Sequence, residues 1–337
     1  MADTPNANNV LEQAVYWMAE GKEVALATVI GTWGSSPRPV GSQLAVDSTG
    51  AFVGSVSGGC IEGAVIGEAL NSISDGENRI LNFGVTNEQA WEVGLDCGGD
   101  VKVLVERVDN KHTLERLAKE RPVAKITDLA TGKHGYVTHS EERGELSLSI
   151  EMLKNARLAL RSDRSRVYQD GNNELFVQVF NPPLRCAIIG AVHISQALVP
   201  MAQVAGFDVT VIDPRGSFAT EARFPGVTIS EEWPDDAMRK FNADTRTAVV
   251  TLTHDPKLDD PALEVALKTE AFYIGSLGSR RTHASRLERL KGSGFVEKDF
   301  ARIHAPVGLN LGATSPAEIA VTILAEMIAA KHGKLDA

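Results

Sequence analysis

The sequence predicts an α/β protein of two domains: an N-terminal α/β domain and a C-terminal Rossmann-like domain with a doubly wound parallel sheet. A chain of 337 residues exceeds the usual size of a single hydrophobic core. The segment Asn181-Pro182-Pro183 interrupts the chain, and the pattern changes there. After it, apolar strands alternate with helical stretches, as in a parallel doubly wound sheet. We therefore expect domains at residues 1–182 and 183–337.

The N-terminal half begins with a predicted helix, because Leu11, Ala14 and Met18 recur at helical spacing. Apolar strands are expected at residues 23–30, 43–46, 51–56 and 101–106. A second helix is predicted between the third and fourth of these strands, with Val65 and Ala69 on its inner face and an end near residue 76. Residues 110–180 indicate short strands and one helix near residues 152–160.

The C-terminal half contains four predicted apolar strands, at residues 184–190, 207–212, 247–252 and 271–274. Helical stretches follow them, including residues 194–205 and the segment around Leu290. The last helix carries local signals at both ends. Ser315 and Glu318 form a capping-box pattern around a proline at the first helical position, and Gly333 follows the final turn.

Composition and charge exclude several classes of protein. The net charge of −10 argues against non-specific binding to nucleic acid or to acidic membranes, which require basic surfaces. The sequence shows no basic stretch followed by an apolar segment, and no apolar run that could span a bilayer. Three cysteines without close pairs predict neither a secreted disulfide framework nor a Cys-x-x-Cys zinc site. We expect a cytoplasmic protein with reduced thiols.

Two cysteines with glycine neighbours are the strongest chemical signal of the N-terminal half. Gly58 and Gly59 precede Cys60, and two glycines follow Cys97. Cys60 stands at or near a predicted helix start, where the helix dipole favours the thiolate. Arg38 lies in a glycine- and proline-rich loop after a buried strand. A buried cysteine, a tight turn and an exposed arginine are the alternative interpretations of these residues.

The C-terminal half places its glycine and polar residues where strands end. Ligands of open parallel sheets bind outside the carboxyl ends of the strands, at the point where strand order reverses. The residues concerned are Gly190, His193, Asp213, Arg215, His254, Asp255, Gly275, Gly278, Ser279, Arg280 and Arg281. The free N–H groups of the last helix start in this set, together with its two arginines, predict a phosphate site.

The dinucleotide fingerprint is incomplete. Counting from Gly190, Val192 and Ser195 stand where the later glycines belong, and only Asp213 lies at the expected distance of roughly 20 residues. The pattern therefore predicts a Rossmann-like fold and leaves NAD(P) binding open. A turn with a local ion pair is the alternative interpretation of Asp213 and Arg215.

Taken together, these stretches resemble the XdhC/CoxI family, accessory proteins that mature molybdenum hydroxylases such as xanthine dehydrogenase and carbon monoxide dehydrogenase. The resemblance covers nearly the whole chain. Its motifs are GSSPRP at 34–39, SGGCIEG at 57–63, WEVGLDCGG at 91–99, THDP at 253–256, YIGSLGSRR at 273–281 and PVGLNLG at 306–312. The sequence departs from the family at Val192, where a second glycine is common.

The resemblance implies a protein that binds the molybdenum cofactor, shields it during sulfuration and delivers it to an apo-hydroxylase. It implies that Cys60 contacts the cofactor, at its molybdenum, with Cys97 as a partner. A soft thiolate and a phosphate site suit the two ends of such a molecule, since it carries a dithiolene-bound metal and a phosphate. The implied partners are an apo molybdenum hydroxylase subunit, enzymes of cofactor biosynthesis or sulfuration, and a second copy of the chain in a homodimer.

Two other functions remain open from the residues. An NAD(P)-dependent oxidoreductase would use the C-terminal half, with Asp213 or Arg215 in the nucleotide site. A thiol enzyme would use Cys60 as its nucleophile, and it would need a nearby base. The histidines of the N-terminal half all lie between residues 110 and 140, in the stretch that carries no chemical motif. A cofactor-binding accessory protein is therefore the leading expectation, and a turnover enzyme is the alternative.

Overall fold

A computed structural model describes residues 9–34, 38–59, 61–85 and 99–335 of the chain. It divides the chain into two compact units, Met1–Pro182 and Pro183–Ala337. Within the described ranges, no helix combines the length and apolar character needed to cross a membrane.

The first unit contains an antiparallel sheet of five strands in the order β3–β2–β1–β5–β4. The strands are β1 (Val24–Gly34), β2 (Gln43–Asp47), β3 (Phe52–Gly54), β4 (Arg79–Val85) and β5 (Gly99–Arg107). Helix α1 (Val10–Ala19) precedes the sheet, and helix α2 (Glu62–Asp75) connects β3 to β4. The buried residues Val65, Ala69 and Ile73 lie on the inner face of α2, which ends at Gly76 with a left-handed φ of 78°. The predicted helix is therefore confirmed.

A second antiparallel sheet in this unit has the order β8–β7–β6–β10–β9. Its strands are β6 (Val123–Asp128), β7 (His134–Val137), β8 (Glu142–Gly144), β9 (Arg166–Asp170) and β10 (Asn173–Phe180). Helix α3 (Lys111–Lys119) precedes this sheet, and helix α4 (Ile150–Ser162) buries Met152, Ala156 and Leu160 against it. The sequence predicted the helix and short strands here, but it did not predict that they form one sheet.

The second unit is built on a parallel sheet of six strands in the order β13–β12–β11–β14–β15–β16. The strands are β11 (Leu184–Ile189), β12 (Phe207–Ile212), β13 (Thr228–Ser230), β14 (Thr247–Thr251), β15 (Tyr273–Ser276) and β16 (Ile303–His304). In order of appearance along the chain this is 3-2-1-4-5-6, the strand order of a Rossmann fold. The predicted fold class is confirmed.

Six helices connect or follow these strands. They are α5 (His193–Val204), α6 (Pro234–Phe241), α7 (Pro256–Ala266), α8 (Arg280–Gly292), α9 (Glu297–Phe300) and α10 (Pro316–Lys331). Two hydrophobic clusters pack on this sheet, one including Leu198 and Met327 and the other including Leu263 and Leu290. The predicted N-terminal signals of α10 are present, since the Ser315 hydroxyl accepts from the Glu318 N–H.

Candidate functional site

The strand order reverses between β11 and β14, which makes their carboxyl ends the expected ligand crevice. Gly190 follows β11 with a φ of +108°, and its N–H donates to the Ile212 carbonyl. A Cβ atom on Gly190 would lie 2.6 Å from Cγ2 of Thr253, which follows β14. Glycine is required here because the two strand ends approach closely and because the backbone is left-handed.

Asp213 follows β12 and is fully buried. Its carboxylate accepts from the Ala191 N–H at 2.8 Å and from the backbone and guanidinium of Arg215 at 2.7–3.0 Å. Burial alone would raise the pKa of Asp213, but the hydrogen bonds from Arg215 and Ala191 outweigh it and lower the pKa. These four hydrogen bonds match the roughly four acceptor positions of a carboxylate. Asp213 thus acts within the protein as a link between two strand ends.

His193, His254 and Asp255 lie at helix starts on the same edge. His193 is the exposed first residue of α5. His254 is exposed and has a φ of +62°, and its N–H donates to the buried Asp259 at 3.1 Å. Asp255 caps α7 by accepting from the Lys257 N–H. The backbone of this segment is therefore fixed by local hydrogen bonds, while both imidazoles face solvent.

Residues 275–281 span the end of β15, the connection at residues 277–279 and the start of α8, as the sequence predicted. Gly275 is buried, and a Cβ there would lie 2.5 Å from Cγ2 of Val307, so this glycine serves the packing of the protein itself. Gly278 has a φ of +143°. Ser279 caps α8 by accepting from the Thr282 N–H at 3.1 Å. The next two side chains, Arg280 and Arg281, are exposed, and neither forms an ion pair among the described residues.

A buried arginine beside these residues was missed by the sequence prediction. The Arg286 side chain is only 2% exposed and lines a cavity of about 250 Å³ together with His254 and Arg281. The signal was its position, since Arg286 stands one helical turn before the buried Leu290 and so on the inner face of α8. A charged residue at a core position is the kind of exception that marks a site.

The carboxylate of Glu62 holds the loop that leads to Cys60 through hydrogen bonds. Glu62, at the start of α2, accepts from the Ser55 hydroxyl and from the N–H groups of Ser57 and Gly59, each at 2.9 Å. Burial alone would raise the pKa of Glu62, but these hydrogen bonds outweigh it and lower the pKa. Gly59 has a φ of +111°, and no other atom of the described residues lies within 4 Å of the position that a Cβ would take. Gly58 and Gly59 are both exposed.

Arg38 and the three cysteines differ in whether the structure describes them and in how exposed they are. Arg38 is exposed. Cys60 and Cys97 lie outside the described residues. The third cysteine, Cys186, is fully buried in β11, and burial raises the pKa of its thiol to about 12. Cys186 is therefore an unreactive core residue at neutral pH. The described part of the chain holds no group of three or more histidine, cysteine or acidic side chains arranged for a metal ion.

A second cluster of charged groups was also missed, in the first unit. Lys125 of β6 donates to the buried Glu106 of β5 at 2.8 Å, and the Nε2 atom of His134 lies 3.4 Å from the other Glu106 oxygen. These groups line a cavity of about 540 Å³ that Tyr136 also contacts. Burial and the charge of Lys125 lower the pKa of His134 to about 4. No local sequence motif indicates this cluster, because Glu106 and Lys125 lie on strands β5 and β6 of two different sheets.

The fold and these residues define a class of two-unit α/β protein, in which a Rossmann unit follows a unit with a glycine-flanked cysteine loop. Residues 17–84 match the family model described as XdhC and CoxI family, and residues 186–327 match the model described as XdhC Rossmann domain. The chain belongs to the XdhC and CoxI family. The predicted resemblance is confirmed.

Known proteins are similar over nearly the whole chain. The molybdenum cofactor insertion chaperone PaoD of Escherichia coli (strain K12) is 28% identical over 324 residues, which span 96% of this chain and 88% of PaoD. A probable xanthine dehydrogenase subunit from Bacillus subtilis (strain 168) is 27% identical over 92% of this chain and 94% of that protein. A crystal structure of a xanthine dehydrogenase from Bacillus halodurans superposes with a TM-score of 0.78 at 26% identity, covering 97% of both chains.

Proposed function

We propose that this protein binds the molybdenum cofactor, protects it and delivers it to a molybdenum hydroxylase of the xanthine dehydrogenase or carbon monoxide dehydrogenase type. The observation that carries the proposal is the similarity to the insertion chaperone PaoD over 96% of the chain. In this function the protein is a maturation factor and not a turnover enzyme. Its partners are an apo-hydroxylase subunit, enzymes that make or sulfurate the cofactor, and a second copy of itself.

The loop before α2 supports a role for Cys60 in holding the cargo. Glu62 fixes the backbone of Ser57 and Gly59, and α2 begins two residues after Cys60. A thiolate near a helix N-terminus is favoured by the helix dipole, and a soft thiolate suits a thiophilic metal centre. We assign Cys60 to the molybdenum end of the cofactor, with Cys97 as its partner and Arg38 in the same site.

The strand ends of the Rossmann unit are the proposed site for the phosphate end. The residues assigned are Gly190, His193, Asp213, Arg215, His254, Asp255, Gly275, Gly278, Ser279, Arg280 and Arg281. Among them, the two exposed arginines at the start of α8 supply charge, whereas Asp213 and the glycines shape the backbone. An NAD(P)-dependent reaction is the weaker candidate, because Arg215 and Ala191 already occupy the carboxylate that would bind a ribose hydroxyl.

The test is the small-molecule content of the protein purified without oxygen from cells that make the cofactor. We expect molybdenum and the pterin in near-stoichiometric amounts by mass spectrometry, and at least tenfold less in Cys60→Ala. Cys186→Ala is the matched control, since that thiol is buried in the core of the other unit. Absence of both molybdenum and pterin from the wild-type protein would refute the proposed function. Equal loading of Cys60→Ala and wild type would remove Cys60 from the site.

A further inference from the structure

A small cavity lies between the start of α7 and the first three turns of α8, at the carboxyl edge of the parallel sheet. Its volume is about 250 Å³. Helix α8 begins at Arg280, and the N–H groups of Arg280 and Arg281 in its first turn have no intrahelical acceptor. Helix α7 begins at Pro256, which has no N–H, and Asp255 accepts from the next two N–H groups of that helix. Since a water molecule takes about 30 Å³ in the liquid, the cavity has room for a group of the size of phosphate.

Arg286 is buried in the wall of this cavity without enough hydrogen-bond partners. Its Nη2 donates to the Leu277 carbonyl at 2.8 Å. Its Nε and Nη1 atoms are buried and have no acceptor among the described residues. The nearest carboxylate oxygen, on Asp259, is 3.9 Å from Nη2, which is too long for a hydrogen bond. A guanidinium has five N–H donors and stays charged, so a buried one with two unpartnered nitrogens calls for an external acceptor.

The acidic side chains of the wall are already engaged elsewhere. The Asp259 carboxylate accepts from the Thr253 hydroxyl at 2.7 Å and from the His254 N–H at 3.1 Å. The two oxygens of Asp260 both accept from the Arg289 guanidinium. Arg281, on the same wall, forms no ion pair among the described residues. The cavity therefore presents two cationic groups that form no hydrogen bond with a carboxylate, although Asp259 lies 3.9 Å from Arg286.

We propose that this cavity binds a phosphate group, with the Arg286 guanidinium as its buried ligand and Arg281 as a second, exposed ligand. Both edges of the guanidinium fork include Nη2, which donates once, to the Leu277 carbonyl, so its second N–H together with Nε or with Nη1 can meet two oxygens of one phosphate. The helix starts add a favourable dipole field for a doubly charged anion. Resting on the proposed function, this phosphate belongs to the cargo. It is a terminal monoester in the mononucleotide form of the cofactor and part of a pyrophosphate in the dinucleotide form.

The test is isothermal titration calorimetry of the full chain with inorganic phosphate and with pyrophosphate. We expect saturable binding of one anion per chain, weakened at least tenfold in Arg286→Lys, which keeps the charge and loses the fork. Arg281→Met should also weaken binding at least threefold, and it changes an exposed side chain that the fold does not need. Lys291→Met is the matched control, because it removes an exposed positive charge from the same helix that does not line the cavity, and its affinity should stay within twofold of wild type.

Each result has a defined meaning. No binding of either anion to the wild-type protein at concentrations up to about 10 mM, or equal binding by Arg286→Lys, Arg281→Met and wild type, overturns the proposal. Tighter binding of pyrophosphate than of phosphate supports the site with a dinucleotide cargo, and the reverse order supports it with a monoester. If the protein carries the cofactor but binds neither anion, the proposed function is supported and the phosphate site is refuted. If both anions bind but the protein carries no cofactor, the phosphate site is supported and its assignment to the cargo is refuted.

Discussion

The carboxylate of Glu62 is expected to control the order of the loop that leads to Cys60, and Glu62→Gln tests this. The substitution keeps the shape of the side chain but leaves it one carbonyl oxygen. If that oxygen serves the Ser57 N–H and the Ser55 hydroxyl, the new amide NH₂ faces the Gly59 N–H, donor against donor. Loss of one hydrogen bond to a charged acceptor costs about 1.5–3 kcal/mol.

This free energy predicts a local change that hydrogen exchange measures directly. At about 1.36 kcal/mol per factor of ten, the amide of Gly59 should exchange roughly 10- to 150-fold faster in Glu62→Gln. The amide of Ser57 should change less, because it keeps its acceptor and is buried. Glu68→Gln is the matched control on the same helix, since Glu68 only pairs with Arg79 at the surface. Exchange at Gly59 that stays within twofold of wild type in Glu62→Gln would refute the reasoning.

The same contact has a defined pH dependence. The pKa of Glu62 is lower in the folded protein than its ordinary value of 4.5. Its contribution to stability is therefore fully present above pH 4.5 and is lost as the pH falls through the lower folded pKa. Protection of Gly59 in the wild-type protein should fall over that acid range, and Glu62→Gln should lack the transition.

Two further predictions concern the stability of each unit. Gly190→Ala should lower the free energy of unfolding of the second unit by about 1–3 kcal/mol in urea titrations, because its Cβ would lie 2.6 Å from Cγ2 of Thr253. Gly206 is also left-handed but has no described atom within 4 Å of a Cβ, so Gly206→Ala should lower the free energy of unfolding less. Equal losses in the two variants would contradict the packing argument. Burial and the charge of Lys125 lower the pKa of His134 to about 4 in the folded protein. Between pH 4 and 6.5 the unfolded state therefore binds more protons than the folded state, and the stability of the wild-type protein should rise with pH across that window. His134→Gln should flatten this rise.

The elements that the sequence predicted well are those with local signals. The apolar spacing of α2 and the capping residues of α10 lie within one or two helical turns, and both helices form as expected. The alternation of strands and helices after Pro183 was enough to predict the Rossmann-like sheet. The glycine positions also had a physical basis, since Gly190 and Gly278 both adopt positive φ.

The features that the sequence did not predict depend on contacts between distant segments. The second sheet of the first unit pairs β6 with β10, which are about 50 residues apart, and short strands carry little signal of such pairing. The buried pair of Lys125 and Glu106 joins two sheets. The sequence permits either a nucleotide site or a local ion pair at Asp213 and Arg215, and only the buried geometry shows that Arg215 and Ala191 use the whole carboxylate.

The most direct test of the central claim is the delivery of cofactor to an apo-hydroxylase of the xanthine dehydrogenase type. The protein is loaded with molybdenum cofactor without oxygen, freed of unbound cofactor and mixed with the apo-enzyme, and hydroxylase activity is followed over time. We predict activity in proportion to the loaded protein added, and at least tenfold less from Cys60→Ala carried through the same procedure. Restoration by free cofactor, but not by the loaded wild-type protein, would contradict the claim that this chain delivers it.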